Sequence, residues 1–324
     1  MLRQIPFSAL PGIGVGHASD PEGCTGCTVL LADTDMAAGI DVRGGGPASR
    51  ETPLLAPAAS CTRIHAILLA GGSAFGLRAA EGVTAFLEEQ GRGFDTGFAK
   101  VPLVCASCLY DLEIGSPSAR PDAAMARRAC LDAANRRSDS GCIGAGTGCT
   151  VGKLSGVTGM MKTGLGCTAV QSGDVMVGAV AAVNALGDVF EADSGRELAG
   201  QLAPGAKGFV SSEQMLMEHC TPADNLFTGN TTLAVVVTNA AFDKTRLTKI
   251  AAMAHNGLAR TIRPLNTSAD GDTVYAVSTG TVPAGEDALG TLAARVLAEA
   301  VRLAVTRAGS MAGYPAHRDL TFLH

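Results

Sequence analysis

The chain reads as an α/β protein, and three stretches carry that reading. Residues 233–238 form an apolar, β-branched run, and Leu247, Ile250, Ala251, Ala254 and Leu258 follow at helical spacing. Residues 175–183 are continuously apolar, as in a strand covered on both faces. Leu289, Leu292, Ala293, Val296, Ala300 and Leu303 mark one stripe of a closing helix over residues 286–307. Composition agrees: 47% of residues are hydrophobic, only 4% aromatic, none is Trp and 41 are Gly, which favours closely packed layers over an aromatic-filled core. The 324 residues are read as a single domain.

Taken in order, Gly12-Ile13-Gly14-Val15-Gly16-His17 reads as a Gly-rich loop, since no strand precedes it. Residues 28–32 and 36–42 are β-type runs parted by Asp33-Thr34-Asp35, which predicts a hairpin. Three glycines at 44–46 sit between charged residues, as in a loop whose backbone approaches something closely. Residues 65–70 form a buried strand that runs into Gly71-Gly72. A helix then extends to about residue 90, with Phe75, Ala79, Val83 and Phe86 on one face. Free N–H groups at such a helix start attract negative charge. Residues 101–112 read as a strand or apolar loop carrying Tyr110, residues 121–135 as a helix, and residues 162–170 as extended. Asn184 to Asp188 form a turn, and residues 196–228 an irregular loop.

Several function classes fall away. The formal net charge is −5 with no basic run, so no nucleic-acid partner is expected. The N-terminus lacks the apolar core of a signal peptide, and no uncharged run approaches a membrane span; a cytoplasmic protein without a membrane partner is expected. Gly144 to Leu154 imitates a phosphate loop, but Thr147 stands where its first Gly belongs and Leu154 replaces the hydroxyl that holds magnesium. Lys153, in that Gly-rich apolar stretch, is expected to be desolvated. Of ten cysteines, Cys24/Cys27 and Cys105/Cys108 form CxxC pairs, but their flanks read as apolar packing, so buried free thiols rather than a zinc site are expected.

The stretch that points to chemistry is Thr228-Gly229-Asn230-Thr231-Thr232-Leu233, a loop running straight into a buried strand. Asn and Gly form turns and Thr begins strands, which accounts for the residue types without chemistry. The alternative is that Thr231 is a nucleophile. A Thr hydroxyl needs a base beside it, and a chain-terminal α-amine on the same residue supplies one. That requires the Asn230–Thr231 bond to be cut first, by attack of the Thr231 hydroxyl on the Asn230 carbonyl.

Five motifs, in this order, carry a resemblance. Asp41-Val42-Arg43-Gly44-Gly45-Gly46-Pro47, Leu69-Ala70-Gly71-Gly72-Ser73-Ala74-Phe75-Gly76-Leu77, Tyr110-Asp111, Gly229-Asn230-Thr231-Thr232 and Asp270-Gly271-Asp272-Thr273 make the chain similar to the L-aminopeptidase/D-esterase (DmpA-like) family. That group includes β-peptidyl aminopeptidases and nylon-oligomer hydrolases. The resemblance implies a four-layer αββα sandwich, related to N-terminal-nucleophile hydrolases with different connectivity. It also implies a precursor that cuts itself into residues 1–230 and 231–324. Thr231 would be the nucleophile and, through its α-amine, its own base. Lys153 would lie near it, and Asn184 would contact the nucleophile or the oxyanion. Tyr110 would stabilise that oxyanion, and Asp270 and Asp272 would support the nucleophile and its amine. Thr rather than Ser at 231 is similar to the nylon-hydrolase branch. Where several aminopeptidase members place a Ser, this chain has Asp270, and Ser268 is the nearby candidate for substrate contact. The resemblance implies no metal or organic cofactor, a small peptide, amide or ester as substrate, and a homo-oligomer of four or more copies. The expected activity is that of an aminopeptidase or related amidase. The alternatives are an endo-acting amidase of the nylon-oligomer type and a non-catalytic binding protein on the same fold.

Overall fold

The computed structural model describes residues 2–135, 139–205, 207–218 and 229–320. Its main sheet system has ten strands: β1 (Leu2–Ile5), β2 (Ile13–Asp20), β3 (Thr25–Val42), β4 (Ala48–Arg50), β5 (Ile64–Ala70), β6 (Val104–Cys108), β7 (Leu165–Ser172), β8 (Val175–Asn184), β9 (Thr231–Ala240) and β10 (Thr273–Val282). Five α-helices accompany them among the described residues: α1 (Ala80–Glu89), α2 (Ala123–Ala133), α3 (Ser212–Glu218), α4 (Lys244–Thr261) and α5 (Glu286–Thr306). The strand order is β1-β7-β8-β9-β10-β3-β5-β6-β4, with β2 also on β3.

The long strand β3 makes this two sheets instead of one. Its second half pairs with β10, from Ala37 opposite Ser278 to Val42 opposite Thr273. Its first half pairs with β2 and β5. The predicted hairpin is therefore a single strand. Asp33 and Thr34 are exposed where the register shifts and β3 leaves one sheet for the other. Nothing in Asp33-Thr34-Asp35 supplies the positive-φ residue that a tight hairpin turn needs.

The layers follow from alternation along the strands. In β9, Leu233, Val235 and Val237 face the other sheet and meet Leu30, Ile67 and Leu69. Ala234 and Val236 face the opposite way, onto Leu247, Ile250 and Val296 of α4 and α5. On the far side, Val29, Ala66 and Leu68 pack on Val83, Leu87 and Ala129 of α1 and α2. The result is the αββα sandwich, and it explains why the core strands read as continuous apolar runs. No helix among the described residues is long and apolar enough to cross a membrane.

Three further expectations change. Gly12–His17 is not a loop, because β2 begins at Ile13. A Cβ on Gly14 or Gly16 would fall 2.4 Å from Ala133 O or 2.0 Å from Ala129 O, so these glycines let α2 approach the sheet. Phe75 leaves the helical face and is 54% exposed, because residues Ser73–Ala79 are a 3-10 turn; the Arg120 guanidinium lies over its ring. The irregular loop 196–228 contains short strands at Glu197–Ala199, Gln201–Leu202 and Phe209–Val210, and then α3. Residues 206 and 219–228 of it, including Thr228, lie outside the described residues.

Candidate active site

The pairing of β8, β9 and β10 decides which residues meet. β8 and β9 are antiparallel, and the last pair of their ladder is Asn184 opposite Thr231. β9 and β10 are parallel, with Leu233 opposite Thr273, so the turns that lead into both strands lie side by side at one sheet end. Asn230 consequently bridges to Asp270. Thr231 is 4% exposed, and its hydroxyl donates to the carbonyl of Asn230, the residue before it.

Lys153, 1% exposed, reaches the junction from the Gly-rich segment that imitated a phosphate loop. Its Nζ donates to Asn184 Oδ1 at 2.9 Å and to Gly229 O at 3.4 Å, and it pairs with Glu113 Oε1 at 2.9 Å. Asn184 Oδ1 also accepts from the Thr150 amide at 3.0 Å, while its Nδ2 donates to the main-chain carbonyl of Tyr110 at 2.7 Å. Every polar atom of the Asn184 side chain is thus engaged, as burial of an amide requires. The ring of Tyr110 lies over Gly229, where a Cβ would come within 2.1 Å of a ring carbon.

The two aspartates have separate tasks. Asp272 accepts from the Thr232 amide at 2.6 Å and the Asn266 amide at 3.0 Å, which ties the start of β9 to the loop before β10. Asp270 accepts the amide and hydroxyl of Thr267, both at 2.7 Å. Burial raises the pKa of both, and the neighbouring Asp270 adds to the effect on Asp272, which is pushed up to about 7. Ser268 is exposed, and what it presents to Gly45 is main chain.

Both Gly-rich motifs bind the chain itself. In Gly44-Gly45-Gly46, the amides of Gly44 and Gly46 donate to Asp272 O and Asp270 O, and that of Gly45 to Thr267 O. A Cβ on Gly44 would lie 2.4 Å from Asp270 O. Gly71-Gly72 meets a carboxylate from within the chain: the Gly72 amide donates to Asp111 Oδ1 and the Thr25 hydroxyl to Asp111 Oδ2, both at 2.7 Å. Gly72 has φ 80°, which a glycine adopts without strain. Burial pushes Asp111 up to about 6 despite these donors. Asp111 thereby anchors the segment that carries Tyr110 and Glu113.

All six residues named for catalysis are buried or half-buried around one strand end, and Asn230 is with them. Sequence reasoning missed Glu113, whose only signal was an acidic residue three places after Tyr110. It also missed the bond between the Gly72 amide and Asp111. Among the described residues no group of three or more potential metal ligands occurs. Cys24, Cys27, Cys105, Cys108, Cys130, Cys149 and Cys167 are buried free thiols.

Residues 8–319 match Peptidase family S58. The chain belongs to that family. An uncharacterised aminopeptidase of Mycobacterium tuberculosis is 38% identical over 342 residues, covering 95% of this chain and 96% of its own length. A 6-aminohexanoate-oligomer endohydrolase of a Kocuria species is 30% identical over 307 residues, covering 90% and 83%. The L-aminopeptidase D-Ala-esterase/amidase of Ochrobactrum anthropi, described as a variant among the Ntn hydrolase fold, superposes with a TM-score of 0.71 at 18% identity, covering 96% of this chain and 88% of that one. A Burkholderia β-aminopeptidase superposes at 0.68 and 20% identity, covering 98% and 92%. These two likenesses concern the fold, and they agree with the sandwich described above. As a member of peptidase family S58, the protein is a hydrolase of peptide or amide bonds.

Proposed function

We propose that the protein is a self-processing amide hydrolase in which Thr231 becomes an N-terminal nucleophile, and that it releases N-terminal residues from small peptides, amides or esters. The observation that carries this reading is the Thr231 hydroxyl set on the carbonyl of the preceding peptide bond, at the end of a core strand where Lys153, Asn184, Asp270 and Asp272 converge. Burying such a set is costly unless it serves the fold or the chemistry. After cleavage the α-amine of Thr231, with a reference pKa of roughly 7.7–8.0, would take the hydroxyl proton. Asp272, which holds the amide of the next residue, Thr232, would orient that amine and raise its pKa, and the Lys153 ammonium would act as the counterweight. Tyr110 and Asn184 are assigned to the oxyanion of external substrates. The chemistry uses side chains and water, with no cofactor step.

The similarity to relatives named as oligomer endohydrolases, together with Thr at 231, supports a second reading: internal cleavage of linear amide oligomers. The organisation proposed with both is a cytoplasmic homo-oligomer of four or more copies. Intact mass spectrometry under denaturing conditions tests the nucleophile. Two fragments meeting between Asn230 and Thr231 are expected, and Thr231→Ala should leave one folded, inactive chain. A single species from the wild-type chain would sink the reading. Product analysis on amino-terminal amides against blocked oligomers separates exo- from endo-cleavage.

A further inference from the structure

Self-cleavage places negative charge on one oxygen, the carbonyl oxygen of Asn230. In the continuous chain that oxygen already accepts the backbone N–H of Gly271 at 2.9 Å. The peptide unit that supplies this donor is held from its other side as well. Its carbonyl, Asp270 O, accepts the Gly46 amide at 2.7 Å. Gly271 O in turn accepts the Thr273 hydroxyl at 2.8 Å. A planar unit bonded at both polar ends keeps its direction while charge develops, and each bond polarises the next. The residue type matters too. A Cβ on Gly271 would stand 2.6 Å from Thr231 Oγ1, inside the space the hydroxyl needs.

The side-chain amide assigned to the oxyanion of external substrates is engaged elsewhere in the uncut chain. Asn184 Nδ2 donates to Tyr110 O at 2.7 Å, and its Oδ1 is turned to Lys153 and Thr150. Besides the Thr231 hydroxyl itself, the group that donates to the Asn230 carbonyl is the main-chain N–H of Gly271.

We propose that the Gly271 N–H is the electrophilic donor of self-cleavage, and that the Gly44–Gly46 loop acts by clamping its peptide unit through Gly46. This rests on the reading of Thr231 as a self-cleaving nucleophile. The hydroxyl oxygen of Thr231 adds to the carbonyl carbon of Asn230. The carbonyl π pair moves onto oxygen, where the Gly271 N–H holds it. The carbon–nitrogen bond then breaks, and the nitrogen takes the proton that the hydroxyl gave up, leaving an ester and a free α-amine. Water adds to the ester, the ester bond breaks, Asn230 leaves as a carboxylic acid and the hydroxyl regains its proton.

The test is an amide-to-ester replacement at Gly271, with glycolic acid in its place, in the full-length chain refolded from denaturant and followed by intact mass. This exchanges the N–H for an ester oxygen, which cannot donate, at nearly unchanged size. Loss of one such donor should slow self-cleavage about 10²–10³-fold. Cleavage within threefold of the wild-type rate overturns the assignment to Gly271 and leaves the Thr231 reading standing. An uncut wild-type chain, or a Thr231→Ala chain cut at the same bond, overturns both. Gly271→Ala should likewise accumulate precursor, and cleavage at the wild-type rate would contradict the close approach to Thr231. Should either variant misfold, hydrogen exchange in the Thr231→Ala precursor decides: a protected Gly271 amide is expected, and exchange at the rate of an open loop overturns the proposal.

Discussion

Two lysines in this chain are equally hidden from water, and they belong to different kinds of site. Lys153 and Lys162 are 1% and 0% exposed. Lys162 sits in a cage of main-chain carbonyls, from Gly146, Cys149 and Thr163, with no carboxylate among these partners. Gly146 and Cys149 lie within the Gly-rich segment and Thr163 just past Met161–Lys162, which pairs with Thr150–Val151, so the ammonium ties these pieces of backbone together. Lys153 has a side-chain amide, the carbonyl of Gly229 and the carboxylate of Glu113, itself only 19% exposed. One ammonium is closed by backbone carbonyls, and the other bonds to Gly229, which precedes the proposed cleavage point. Burial is common to both lysines; their partners differ.

Substitutions that separate the two lysines put this contrast at risk. Lys153→Met should slow self-cleavage about 10²–10³-fold per folded molecule, the range for loss of one preorganised donor at a reacting centre. Lys162→Met should instead cost about 1–3 kcal/mol of folding stability, from carbonyls left short of a donor, with the cleavage rate of the folded fraction nearly unchanged. Mass-spectrometric time courses and denaturant titrations on the same samples would read both. Equal cleavage defects in the two variants would erase the distinction.

A further effect, on the pH dependence of stability, concerns two buried acids near the junction. Asp272 and Asp111 are held up to about 7 and about 6. A carboxyl raised above its unfolded value of about 3.9 keeps its proton in the folded state after the unfolded chain has lost its own. The folded state then binds more protons, so stability falls as pH rises from about 4 to about 7 and levels off above. Asp272→Asn in the uncut Thr231→Ala background should flatten that slope when unfolding midpoints are compared across pH. A slope of unchanged steepness would mean that Asp272 ionises normally.

The least effect is expected for Glu113→Gln. Lys153 would keep its bonds to Asn184 and Gly229 and lose a charge-assisted partner, worth roughly 10-fold in the rate of cleavage or hydrolysis. No change would assign the pair to the structure alone, whereas loss on the scale of Lys153→Met would place Glu113 in the chemistry itself.

Much of the fold was legible because it is local. The strand at 175–184, the strand after Thr231 and helices α2, α4 and α5 lie where periodicity puts them. The misreadings have physical reasons. The glycines of 12–16 signalled a turn but serve helix–sheet contact, and Asp33–Asp35 signalled a turn but mark the passage of β3 between sheets. At the site, the residues carried by the motif resemblance converge on Thr231, except Ser268, which is exposed. Glu113 escaped notice because no local pattern distinguishes it from any other acid, and Asp111, though part of a motif, gave no sign in sequence of its bonds to Gly72 and Thr25.

By itself the sequence determined the longest core strands and helices, the apolar runs that must be covered on both faces, the family motifs and the unusual Asn230-Thr231 junction. Only the tertiary structure decided that residues 44–46, 111–113, 153, 184 and 270–272 meet at that junction. The reason is that those meetings depend on strand order and direction. Parallel pairing of β9 with β10 brings Asp270-Gly271-Asp272 beside Asn230, and antiparallel pairing of β8 with β9 brings Asn184 opposite Thr231. Hydrogen bonds across such distances in sequence leave no periodicity behind. Their one trace is a glycine where a neighbouring backbone leaves no room for a side chain.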